Sequence, residues 1–267
     1  MPIDVNVQEL KALNNFGDGP PGSGQMLALK LVLQTLDNII LVNSTGTATP
    51  FIRHAPFIHA GLNAVSVARG IAHGVEKGTD KKPGAKVVVF AGDGATAISL
   101  ASLTNVKEDV LYICANDFGY SAMDYKSPED ASGVSRGRGF ARHLASSASY
   151  CATSCVSHPE DFIFKLKKAA GMNGFRFIEV LSPSPESWGY DPSNTMEVGR
   201  VAVETGLWPL FEVENGAVNL TKRPNRLDPV ESFNHVQKKF QIPSDKIQSV
   251  QERVNRQWKT LNDGKLI

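Results

Sequence analysis

Cysteine is nearly absent from this sequence. Its 267 residues hold three, Cys114, Cys151 and Cys155, too few for a disulfide framework and in keeping with a reducing, cytoplasmic setting. Cys151 and Cys155 lie four apart and could share a helix face. A metal site built on them needs further thiolate or imidazole partners, and buried core thiols are the simpler account. An excess of one charge is lacking too. The balance of 28 basic against 27 acidic residues leaves a formal net charge of +1, so nothing in it argues for nucleic acid or an anionic membrane as partner. No apolar run reaches the length of a bilayer crossing. The opening MPIDVNVQEL has no basic head followed by an apolar stretch, so no secretory signal is expected. Internal repeats and low-complexity blocks are missing as well. What remains is an ordinary globular mix, 42 % apolar and 21 % charged, long enough to bury a full core.

Along the chain, residues 1–24 read as an arm that becomes a glycine- and proline-rich loop. MLALKLVLQTL is apolar enough for a buried helix, broken at Asp37-Asn38. Ile39 to Val42 is a short buried strand ending in the small polar run Asn43 to Thr47. From His59 to Val75 the chain is rich in small residues and reads as helical. Lys86 to Ala91 is the clearest strand; Gly92-Asp93-Gly94 ends it, and a helix follows from Ala95 to Thr104. Val110 to Ala115 is another strand. Residues 124–147 read as a long loop, Pro159 to Ala170 as a helix opened by proline and two acids, and Phe175 to Leu181 as a strand. SPSPESWGYDP is irregular, Met196 to Thr205 forms a helix, and the polar, amphipathic stretch from Arg226 onward is a helical tail. Two units are expected, 1–225 and the tail 226–267. Strand, helix and strand recur with short joins, which argues for an α/β fold with a parallel sheet and helices on both faces. Ligands in such sheets sit beyond the carboxyl ends of the strands, so the loops at Thr45, Gly92 and Asn116 should converge on one rim.

The chemistry sits in two of those loops. A diphosphate held through Mg2+ needs hard oxygen ligands and bare backbone N–H groups nearby. Asp93 supplies a carboxylate. Gly94 and Ala95 open a helix whose positive end turns to the phosphate, and glycine lets the backbone come close. Asn116-Asp117 follows the next strand and offers a second carboxylate, with the Gly119 carbonyl completing the protein's share of the octahedron. The metal ligands are thus read as Asp93, Asp117 and Gly119.

This spacing is that of the thiamine-diphosphate motif, which opens with Gly-Asp-Gly and closes on an Asn near the end of the next strand. Here the closing pair is Asn116-Asp117, where the pattern has the reverse order or two Asn; the change keeps an oxygen donor and adds charge. The resemblance spans nearly the whole chain. Phe16 to Leu36, Asn43 to Thr49, Gly92 to Tyr120, Tyr150 to Asp161 (as a helix entry), Gly206 to Gly216 and the polar tail resemble the β subunits of pyruvate and related 2-oxoacid:ferredoxin oxidoreductases. The resemblance implies a parallel-sheet thiamine-diphosphate-binding fold with thiamine diphosphate and Mg2+ as cofactors. The cofactor would be lined by Gly22, Ser23, Gly24, Gly46, Thr47, His59, Gly92, Asp93, Gly94, Ala95, Asn116, Asp117, Gly119, Tyr120 and Ser121. It also implies an α-type partner subunit that carries the pyrimidine-activating Glu, a 2-oxoacid substrate and, as an option, coenzyme A. No catalytic residue is therefore named in this chain.

The family's β subunits hold a [4Fe–4S] cluster on four cysteines, and all four positions differ here. They read Pro20, Ser23, Thr47 and Ser184, with Gly22, Gly24 and Gly46 retained. Hydroxyls do not replace thiolates as cluster ligands, so no cluster is expected in this chain. That loss implies a non-oxidative reaction, decarboxylation or carbon–carbon ligation or cleavage through a C2 carbanion or enamine. The alternatives are a 2-oxoacid:acceptor oxidoreductase that passes electrons to a partner-borne cofactor and makes acyl-CoA, and a non-catalytic cofactor-binding relative. Lesser features carry two readings each. His59 either faces the cofactor or merely starts a helix. Arg53 and His54 bind an anion or nothing. Arg136, Arg138, Arg142 and His143 meet a substrate carboxylate or a CoA phosphate, or form a solvated loop. Ser23 and Thr47 fill space or bond water or substrate. Trp188 and Trp208 are read as packing residues.

Overall fold

The computed structural model describes residues 19–46, 48–52, 57–78, 84–118, 139–224 and 226–266. The readings on Thr47, Arg53, His54, Gly119, Tyr120, Ser121, Arg136 and Arg138 lie outside the described residues. Six strands run parallel: β1 (Ile39–Ser44), β2 (Phe57–Gly61), β3 (Lys86–Gly92), β4 (Val110–Asn116), β5 (Tyr150–Cys155) and β6 (Phe175–Leu181). Two short antiparallel strands, β7 (Phe211–Glu214) and β8 (Ala217–Leu220), extend the sheet beyond β5. Among the described residues the sheet has eight strands in the order β2-β1-β3-β4-β6-β5-β7-β8.

Both faces of this sheet are covered, which is why β3 and β4 are apolar at almost every position. One face carries α1 (Gly24–Thr35) and α5 (Pro159–Ala170), whose Ala28, Leu29, Val32, Phe162 and Leu166 meet Leu41, Val88, Leu111 and Ile178. The opposite face carries α2 (Ala64–Glu76), α3 (Asp93–Leu103) and α4 (Phe140–Leu144), packed on Val87, Val89, Tyr112 and Phe177. A third apolar cluster gathers α6 (Pro185–Trp188), α7 (Thr195–Glu204) and the tail with α8 (Ser232–Val236) and α9 (Ile247–Asn262). There Trp188, Val198 and Trp208 meet Phe233, Phe240, Val250 and Val254.

Several local readings are corrected. The His59–Val75 helix is a strand followed by a helix: β2 pairs with β1 through Leu41↔Phe57 and Asn43↔His59, and Gly61 at φ +54 separates it from α2. Small residues suit both states, and sheet pairing decides the first half. Tyr150 to Cys155 is a strand and no helix entry, so Cys151 and Cys155 share no helix face; the helix begins only at Pro159. Gly92 caps α3, which starts at Asp93 rather than Ala95. Within the expected 124–147 loop, α4 forms at Phe140, and the irregular SPSPESWGYDP contains α6. Asn215 and Gly216 take positive φ, 51° and 78°, in the two-residue turn joining β7 to β8, the geometry that suits a right-twisted hairpin.

Candidate functional site

The sheet reverses its winding between β1 and β3. From β1 the chain passes to β2 on one side, whereas β3 leads to β4 on the other. Ligands in such sheets bind beyond the strand ends at such a point, and the segments after β1, β3 and β4 at Thr45, Gly92 and Asn116 stand at those ends. The two central backbones nearly touch there. A Cβ added at Gly46 would lie 3.4 Å from the Gly92 amide nitrogen, and one added at Gly92 would lie 3.9 Å from Gly46 Cα. The buried Gln25 side chain of α1 lies against both glycines. At Gly92 the φ of −78° suits any residue, so glycine serves close approach there rather than backbone freedom.

Asp93, the first residue of α3, is 5 % exposed and Asp117, just past β4, is 1 % exposed. The Cys114 thiol feels both carboxylates and that of Glu179, although burial is the larger reason its pKa is pushed well up. The Asp117 loop is held from several sides. Asn116 Oδ1 accepts from Phe118 N at 2.8 Å, and Trp188 Nε1 donates to the Asp117 carbonyl at 2.5 Å. Phe118 sits at φ +52 with its ring between Trp188 and Trp208. Two buried carboxylates at the ends of neighbouring strands are the hard oxygen donors that could hold a divalent cation with a diphosphate. Among the described residues no group of three or more His, Cys, Asp or Glu could hold a metal unaided, so further ligands would come from backbone, water or the diphosphate.

The turn before α1 meets the same rim. A Cβ at Gly24 would lie 2.5 Å from the Ser182 carbonyl carbon, and Gly24 N donates to Pro183 O at 3.0 Å. Gly22, at φ +70, packs on Pro192, and its carbonyl accepts from Thr195 Oγ1 at 2.6 Å. Ser23 Oγ accepts from Met26 N at 3.4 Å and Ser184 Oγ from Ser187 N at 3.3 Å. Both hydroxyls are thus helix N-caps. The three cysteines stand elsewhere, buried on β4 and β5.

The remaining expected residues stand on β2 and α4. His59 is exposed on β2, separated from β3 by β1. His143 is exposed on α4, while Arg142 is half-buried over the Phe211 ring. Trp188 packs as expected and in addition holds the Asp117 loop. Glu179, fully buried on β6, was not singled out from sequence. Its Oε1 accepts from Asn116 Nδ2 at 2.7 Å and its Oε2 from Ala141 N at 2.9 Å. An acid in the middle of an apolar strand, where a charge has no water, was the available signal.

Residues 44–180, about half of the chain, match the thiamine pyrophosphate enzymes in their C-terminal TPP binding domain, which sets the class. The pyruvate synthase subunit PorB of Methanocaldococcus jannaschii is 34 % identical over 91 % of this chain and 94 % of its own. The ketoisovalerate oxidoreductase subunit VorB of Pyrococcus horikoshii is 29 % identical over 90 % and 89 %. A solved 2-oxoglutarate:ferredoxin oxidoreductase from Magnetococcus marinus superposes with a TM-score of 0.53 at 16 % identity, covering 86 % of this chain and 90 % of that one, a likeness of fold. Within the thiamine pyrophosphate enzymes, the chain belongs to the β subunits of the 2-oxoacid:ferredoxin oxidoreductases. No helix among the described residues is long and apolar enough to cross a membrane.

Proposed function

We propose that this chain is the thiamine-diphosphate-binding subunit of a 2-oxoacid:acceptor oxidoreductase, working with an α-type partner and passing electrons to a cofactor outside itself. The observation that carries this is the end-to-end likeness to PorB. Its relatives named as oxidoreductases favour the oxidative alternative over the non-oxidative reading drawn first from the missing cysteines. Bound at the rim, thiamine diphosphate supplies a carbon nucleophile and an electron sink for decarboxylation. The chain's own part is to grip. Asp93 and Asp117 hold Mg2+ with the Gly119 carbonyl, and the start of α3 at Gly94 and Ala95 faces the diphosphate. Gly22, Ser23, Gly24, Gly46, Thr47, Asn116, Tyr120 and Ser121 line the rest, with His59 at the margin. The pyrimidine-activating Glu comes from the partner.

Ser23 and Ser184 are engaged as caps, and Pro20 and Thr47 bring no thiol, so we assign no iron–sulfur cluster to this chain. The same observation sustains the second reading, a non-oxidative carbon–carbon reaction. The reconstituted pair, given a 2-oxoacid, coenzyme A and oxidised viologen, is expected to form acyl-CoA with reduced dye, and the purified chain to hold no iron. Aldehyde without dye reduction would transfer the assignment to the second reading. Failure to bind thiamine diphosphate would leave a non-catalytic relative.

A further inference from the structure

We infer that Glu179 is a positioning residue that sets the direction of Asp117 by fixing the Asn116 amide; this rests on the metal-holding role proposed for Asp117. Glu179 is fully buried in the middle of β6, directly across from Cys114 on β4. An isolated carboxylate there would be costly, and burial does raise its pKa. It is held by two donors, Asn116 Nδ2 and Ala141 N. Arg142 adds a favourable charge nearby.

The consequence runs through one amide. An amide presents a donor on one side and an acceptor on the other. Because Nδ2 is committed to Glu179, Oδ1 faces Phe118 N and closes the turn around Asp117. That turn needs holding, since Phe118 sits in the left-handed region at φ +52, which side chains other than glycine rarely adopt. A misdirected Asn116 would free Phe118 N and let the Asp117 carboxylate swing. The pocket for Glu179 is tight from the far side as well: a Cβ on Gly139 would lie 2.6 Å from Glu179 Oε2.

The test is the Mg2+ dependence of thiamine diphosphate binding, read by calorimetry on the full chain assembled with its partner. In Glu179→Gln the new amide must turn its NH2 toward either Asn116 Nδ2 or Ala141 N, donor against donor. The Mg2+ midpoint is expected to rise roughly 10- to 100-fold, the range for residues that orient metal ligands, with binding recovered at saturating Mg2+. Gly139→Ala, which presses a methyl group on the same carboxylate, should raise it less; if Glu179→Gln does not fold, this variant decides. Phe177→Leu lies two residues earlier on the same strand face and should lower the melting temperature without moving the midpoint. An unchanged midpoint in Glu179→Gln and Gly139→Ala overturns the assignment. So does an equal shift in Phe177→Leu, which would reduce the effect to loss of stability. Should the unaltered protein bind the diphosphate without any need for Mg2+, the metal-holding role itself falls, and Glu179 has nothing to position.

Discussion

At Ser23 and Ser184 an oxygen atom has a structural task, accepting from the first free backbone N–H groups of α1 and α6. The three cysteine sulfur atoms lie in the core. Cys114, Cys151 and Cys155 are all buried, and burial pushes the first two thiols well up and Cys155 up to about 11. A thiol so shifted holds almost no thiolate at about pH 8. The native protein should therefore give essentially no reaction with a chromogenic disulfide reagent, and all three thiols should react in denaturant. Fast native labelling of even one would show that a strand carrying it opens. At this scale the sequence was legible where a local turn marks the position, as at the strand-to-helix junction that carries Asp93. It was not legible at Glu179, because only a partner 63 positions away, Asn116, reveals what the carboxylate holds.

Among the elements, α5 is tied to the sheet by a buried cation. Lys165 Nζ donates to Thr153 O on β5 at 2.7 Å, to Asp161 Oδ2 at 2.8 Å and to Thr221 Oγ1 just past β8 at 2.7 Å. Removing one member of a buried ion pair strands the other, at a cost of roughly 3–5 kcal/mol. Lys165→Ala is expected to lose that much unfolding free energy in urea titration, far more than a surface lysine. A loss below about 1 kcal/mol, the scale of exposed pairs, would show that water reaches Asp161. The helix α5 was readable to the residue from its proline, acids and apolar spacing. The strands β2 and β5 were not. YCATSC is made of small and polar residues, yet every position is buried, because Ser154 bonds Asp161 and Thr153 bonds Pro209 O. Those partners come from other elements, so no local periodicity announces them. The hairpin β7–β8 did carry a signal, Asn215-Gly216, which the sequence reading passed over.

For the molecule as a whole, the switch point between β1 and β3 joins two halves of the sheet whose connections run in opposite directions. A ligand bound there stabilises the folded state by mass action, about 2.7 kcal/mol at a hundredfold excess over Kd. Thiamine diphosphate with Mg2+ together should raise the melting temperature of the assembled protein, and a chelator should reverse the gain. Equal stabilisation by the diphosphate alone would argue against a metal bridge. The alternation of strands and helices made this architecture legible in the sequence, since buried parallel strands read as unbroken apolar runs. Its antiparallel edge was hidden, being set by pairing with β5. One detail of the frame bears on how such a protein changes over time. Asn116 and Ala141 bond the same carboxylate, so one buried acid ties the end of β4 to the start of α4. A change of that acid strands two buried donors at once, each at a cost of roughly 1–3 kcal/mol, so Glu179 is expected to resist replacement while exposed positions drift.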